Sequence, residues 1–84
     1  MNEIVQRHVS RREFELLIET NALQEFIITR KEDQYELSAT HKYENIEVIL
    51  EAARSKVRTW KRLNTLIDYI ESIESNPLPI RINR

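Results

Sequence analysis

The chain contains no glycine and no cysteine, only two prolines and a single tryptophan. Without cysteine, disulfides and thiolate-ligated metal sites are excluded. Without glycine, glycine-rich phosphate loops and dinucleotide fingerprints are excluded, because their close backbone approach needs it. Every turn must also be made without the most permissive residue. Turns are expected to lean on Asn21, Asp33, Asn45, Ser55 and Asn76. No apolar run approaches membrane-spanning length, so no membrane association is expected. Met1 to Val9 carries Glu3, Arg7 and His8 and no apolar stretch, so no signal peptide is expected and the cytoplasm is the expected location. An excess of one charge sign is missing too. The formal net charge is −1 and the pI about 6.1, which leaves no global basic field of the kind that marks many nucleic-acid binders.

The 84 residues fit one small domain, 1–84. Residues 1–9 and 77–84 read as loose termini, unless the tail forms a strand. A domain this small buries a modest share of its surface, so a homodimer that buries more apolar area is one expected route to stability.

Val9-Ser10-Arg11-Arg12-Glu13-Phe14 combines a capping box, Ser10 with Glu13, and a hydrophobic staple, Val9 with Phe14. It predicts a helix over 11–20, with Phe14, Leu17 and Ile18 on one face and Asn21 as the stop. Glu25 to Arg30 is β-branched and aromatic. After the polar Lys31-Glu32-Asp33, Tyr35, Leu37, Ala39 and His41 alternate with polar residues. This pattern predicts a β-hairpin.

Residues 44–62 fit two templates. As a strand, Ile46, Val48, Leu50 and Ala52 face the core. As a helix, Ile46, Ile49, Ala53 and Trp60 continue into Leu63, Ile67 and Ile70. From Leu63 the period is helical, with Leu63, Leu66, Ile67, Ile70 and Ile73 in one stripe until Asn76-Pro77. The tail 78–82 alternates and suits an edge strand, where Pro79 is tolerated.

Ala52-Ala53-Arg54-Ser55-Lys56-Val57-Arg58-Thr59-Trp60-Lys61-Arg62-Leu63-Asn64-Thr65 resembles a stretch found in small proteins of plasmids and other mobile elements, often labelled plasmid partition or replication accessory proteins. These share a strand ending in Arg, a tight turn, an Arg-x-aromatic strand and a short Leu-Asp/Asn lead into a helix. Their turn usually carries glycine or proline, where this chain has Ser55-Lys56-Val57, and their helix often begins after Ser, where this chain has Arg62. The resemblance implies strands at 46–53 and 57–60. It implies an α+β domain of helix, antiparallel β-meander, helix and a final edge strand. The competing architecture is a β-hairpin followed by one long C-terminal helix.

The candidate site is Arg54, Lys56, Arg58, Trp60, Lys61 and Arg62, in a stretch, 52–67, with no acidic residue. On a strand, Arg54, Lys56, Arg58 and Trp60 share a face. Such a face can dock an acidic protein surface, or grip a phosphate backbone and stack on a base. The plain alternative puts Trp60 in the core and leaves the cations as a solvated rim. Arg7, Arg11 and Arg12 cluster at the first helix start against its dipole, which a contact with Glu15 or Glu19 would explain.

His8 and His41 lack ligand partners at metal spacing, and no cofactor is expected. His41 is expected to be a half-buried strand residue. The serines fall at caps, strand faces and turns, so no catalytic constellation emerges. The expected function is a non-catalytic interaction protein of a plasmid, phage or similar element that binds a protein partner, with a homodimer as one form. The alternatives are a nucleic-acid-binding accessory factor and an inhibitor of a host nucleic-acid enzyme. If helices cover one sheet face only, Ile27 and Ile49 are expected to be exposed and to drive self-association; the plain alternative is that a helix or the tail covers them.

Overall fold

A computed structural model describes residues 4–74 and 77–83, with Ser55 described by its backbone alone. Its elements are β1 (Val5–Val9), α1 (Arg11–Glu19), β2 (Leu23–Lys31), β3 (Gln34–His41), β4 (Ile46–Leu50), a 3₁₀ turn at Ala53–Ser55, β5 (Thr59–Trp60), α2 (Leu63–Ile73) and β6 (Ile80–Asn83). The strands form one mixed sheet in the order β1-β4-β3-β2-β6, with the short β5 pairing beside β4 on the same edge of β3.

The expected α+β class holds, and the meander holds for β2, β3 and β4, which are antiparallel. Two features differ. The chain begins with a strand, and both terminal strands are parallel to their neighbours, β1 to β4 and β6 to β2. Residues 1–9 were expected to be loose, yet β1 closes one edge of the sheet; the tail, read as loose or as an edge strand, forms the strand β6 and closes the other. Edge strands need little apolar alternation. In β1 only Val9 is buried, while Val5, Gln6, Arg7 and His8 are exposed. The long C-terminal helix is ruled out, because Ile46–Leu50 pairs in register with both β1 and β3. The second strand expected at 57–60 is reduced to Thr59–Trp60 and an isolated bridge from Val57 to Glu51. The stop expected at Asn76 lies outside the described residues.

Local chemistry explains the boundaries. Ser10 caps α1 by accepting the Glu13 N–H at 3.1 Å, and Val9 and Phe14 are both buried, as the staple requires. At the other end Asn21 adopts φ 57°. The Asn21 N–H donates to Ile18 O (3.0 Å) and the Ala22 N–H to Leu17 O (2.9 Å). This is a Schellman ending with asparagine where glycine is usual. Two more residues pay the cost of a chain without glycine: Glu32 in the hairpin turn (φ 55°) and Arg54 in the 3₁₀ turn (φ 64°). Each left-handed non-glycine residue costs roughly 1 kcal/mol.

Both helices lie on one face of the sheet. Phe26 and Ile28 of β2, Leu37 and Ala39 of β3, and Val48 and Leu50 of β4 pack against Phe14 and Ile18 of α1 and Leu66 and Ile70 of α2. The Phe14 and Phe26 rings meet at 6.3 Å. Among the described residues no helix covers the other face. Ile27 nevertheless is 2% exposed there while standing outside the core cluster. Ser38 and Arg81 flank it across the strands, and Arg81 leans over to Glu25 (3.1 Å). The expected exposure of Ile27 is thus corrected in favour of the alternative: the tail strand β6 lies beside it, with Arg81 and Ser38 flanking it, and Ile49 is half-buried.

Ser10→Ala should remove the α1 cap and lower unfolding stability by about 1 kcal/mol. Glu32→Gly should come out within about 1 kcal/mol of the parent in the same denaturant titration, because relieved strain offsets added chain entropy.

Candidate docking site in the connection between β4 and α2

After β4 the backbone closes a small loop on itself. The Ala52 N–H donates to Lys56 O, Glu51 bridges Val57, and the Arg58 N–H returns to Leu50 O at 3.0 Å. Arg54 supplies the left-handed residue that makes the reversal possible. The turn interrupts the strand, so the expected single face of Arg54, Lys56, Arg58 and Trp60 does not form. Past the turn the chain returns to the sheet, where Val57 bridges Glu51, Thr59 pairs with Glu36 and Trp60 with Tyr35, and side chains alternate between the faces. Val57 lines a depression on the open face, and Trp60 enters the core on the helix face.

Trp60 is 6% exposed and stacks with Tyr69 of α2 at 5.6 Å. The Arg58 guanidinium lies over its ring at 5.0 Å. Tyr69 continues the series, with Arg11 of α1 over its ring at 5.6 Å. The Tyr69 hydroxyl (3.0 Å) and Arg11 Nε (2.7 Å) both donate to one oxygen of Glu15. Four stacked groups therefore tie the connection to both helices. Burial first, then the hydrogen bond to Glu15, pushes the Tyr69 phenol up to about 12. The Arg11 hydrogen bond holds the Glu15 carboxyl below its ordinary value against the opposing effect of burial. Arg11 is thereby explained as the partner of Glu15.

The remaining candidates differ from Trp60. Arg54, Lys56, Arg58, Lys61 and Arg62 are all exposed. Among the described residues none of these five cations is within ion-pair distance of a carboxylate. Arg62 stands at the N-cap of α2 without a side-chain capping bond, and the first turn of α2 holds no acidic residue. The rest of the chain carries eight cations against fourteen carboxylates. The connection is thus a basic segment on an otherwise acidic molecule.

The histidines have local partners. His41 Nδ1 accepts the N–H groups of Tyr43 (3.1 Å) and Glu44 (3.2 Å), closing the β3–β4 loop. His8 Nδ1 lies 3.4 Å from Glu51. No group of three or more metal-ligating side chains occurs among the described residues, and no helix is long and apolar enough to cross a membrane. Sequence reading missed the stacked series through Tyr69. Its legible part was the i,i+4 spacing of Arg11 and Glu15. Neither a protein-family model nor a curated protein sequence matches the chain.

Tyr69 holds its proton in the folded chain beyond the value at which an unfolded tyrosine ionises, near 10. Its contribution is complete below pH 10 and is lost as pH rises through about 12. Denaturant midpoints should fall between about pH 10 and 12, and Tyr69→Phe should flatten that fall. At pH 7 the same variant should lose about 1 kcal/mol with the hydrogen bond to Glu15.

Proposed function

We propose that the protein is a non-catalytic interaction module whose basic connection, Arg54 to Arg62, docks an acidic surface of a protein partner. The observation that carries this reading is the set of five exposed cations, none within ion-pair distance of a carboxylate among the described residues, on a backbone closed by its own hydrogen bonds. Cations held on an ordered loop lose less freedom on binding than cations on a mobile arm. Unneutralised charge on one rim also steers an oppositely charged partner toward that rim. The likeness of Ala52–Thr65 to plasmid accessory proteins supports a plasmid, phage or similar element as the setting.

Nucleic acid is the second reading, because the same cations suit phosphates. One observation ranks it lower. The indole that would stack on a base is 6% exposed and lies beneath Arg58, so the aromatic platform of single-strand binders is missing from this segment.

Fluorescence anisotropy of labelled decaglutamate, a 12-base-pair duplex and a 12-nucleotide single strand should rank these readings. The expected result is decaglutamate binding at 50 mM salt that weakens at 300 mM. Arg54→Ala with Lys56→Ala and Arg62→Ala should weaken it about tenfold, in keeping with the loss of three charge contacts. Tighter binding of either nucleic acid by tenfold or more would replace this reading with the second. No binding of any probe at 50 mM salt would end both.

A further inference from the structure

The open face of the sheet is the surface that the helices leave uncovered, and it is built differently from the connection beside it. Register places His8, Ile49, Ser38, Ile27 and Arg81 in one row across the five main strands. Two depressions adjoin on this face. One, of about 220 Å³, is lined by His8, Glu36, Ser38, Glu47, Ile49 and Val57, among others. The other, of about 440 Å³, is lined by Ile4, Gln6, Ile27, Thr40, Glu47 and Arg81. Gln6 and Glu47 belong to both.

The charge on this face is uneven. Lys31 is matched by Glu36 (3.5 Å) and Arg81 by Glu25 (3.1 Å). Glu47 and Glu51 have no Lys or Arg partner among the described residues. Glu47 is held by Gln6 Nε2 (2.9 Å) and the Ser38 hydroxyl (3.3 Å), and Glu51 lies beside His8. The excess carboxylates therefore sit on the β4 side, and Glu51 bridges Val57, the residue between Lys56 and Arg58. An acidic patch with a half-buried isoleucine and a basic patch with no carboxylate partner share a border.

We infer that the acidic partner of the connection is the open sheet face of a second copy of this chain, in a two-fold dimer. This rests on the docking reading above and names its partner. Adjacent patches of opposite charge are self-complementary under a two-fold axis: each copy's Arg54 and Lys56 meet the other's Glu47 and Glu51, and the contact occurs twice. Ile49 stands between Glu47 and Glu51 on the same face, so the partner's connection covers it while the charges set the register. A dimer of this kind closes on itself and leaves no repeating contact.

Sedimentation velocity on the full chain at about 300 µM tests this. At 50 mM salt the wild type should be a dimer. At 500 mM, where screening shortens to a few Å, dissociation should strengthen at least tenfold. Glu47→Lys with Glu51→Lys should give a monomer, and so should Arg54→Glu with Lys56→Glu. An equimolar mixture of the two variants should restore a dimer, because both contacts of the mixed pair are again opposite in sign. Circular dichroism of each variant alone checks its fold, and Glu51→Gln, which keeps the side-chain shape, should weaken the dimer severalfold. A wild type that is monomeric at 50 mM salt overturns the inference, and so does a mixture of folded variants that stays monomeric. A dimer indifferent to salt and to both charge reversals also overturns it, and points to the edge strands, where Ile4, Val5, Ile80 and Ile82 are exposed. Decaglutamate binding separates the two levels. If the peptide binds while the wild type stays monomeric, only the second copy is wrong. If the peptide fails as well, the docking reading fails with it.

Discussion

The structure depends on one packing constraint: two amphipathic helices must both cover the same face of a mixed sheet. Phe26, Ile28, Leu37 and Ala39 supply the centre of that face, and Phe14, Leu66 and Ile70 seal it. All seven side chains are fully buried. Burying a large apolar side chain is worth roughly 1.5–3 kcal/mol, so this layer is the main source of stability in a domain with so little interior. The same arrangement commits the opposite face to solvent or to a partner. Polar neighbours manage part of that cost, since Ser38 and the Arg81–Glu25 pair surround Ile27.

The connection from β4 to α2 must leave the sheet and reach the helix layer within a few residues. It does so without glycine, by placing Arg54 in the left-handed region and tying Arg58 back to Leu50. Trp60 then anchors the connection, and Arg58, Tyr69 and Arg11 stack in series around it. The aromatic residue of this segment is consequently a structural post. The cations are what it presents outward, and their charge contrasts with the acidic remainder of the chain. This separation supports docking by charge over docking by base stacking.

Much of this was legible from residues. The α1 cap and staple, the hairpin and the α2 stripe are short-range patterns, each set by neighbours three or four positions apart or by strict alternation. The tail was legible as an edge strand over 78–82, but β1 was not, nor was the parallel pairing of either terminal strand. Their pairing is long-range, and Gln6-Arg7-His8 shows none of the alternation that a half-buried strand displays. The basic segment was visible as composition, yet its geometry was not. A strand was expected through 57–60, and a single left-handed residue at Arg54 broke the alternation that would have aligned Arg54 with Trp60. The burial of Trp60 depends on Tyr69, nine residues away on another element, and no local spacing encodes it.

The central claim is that docking takes place where the basic connection borders the open sheet face. Amide chemical shifts of the full chain at 50 mM salt, followed from about 20 to 500 µM, test it most directly. The account predicts concentration-dependent shifts at Ser38, Thr40, Ile49, Glu51 and Arg54 to Arg58, with Arg12, Leu16 and Glu19 on the outer side of α1 unmoved. Shifts confined to α1 or to the β1 and β6 edges, or none at all over that range, would contradict it.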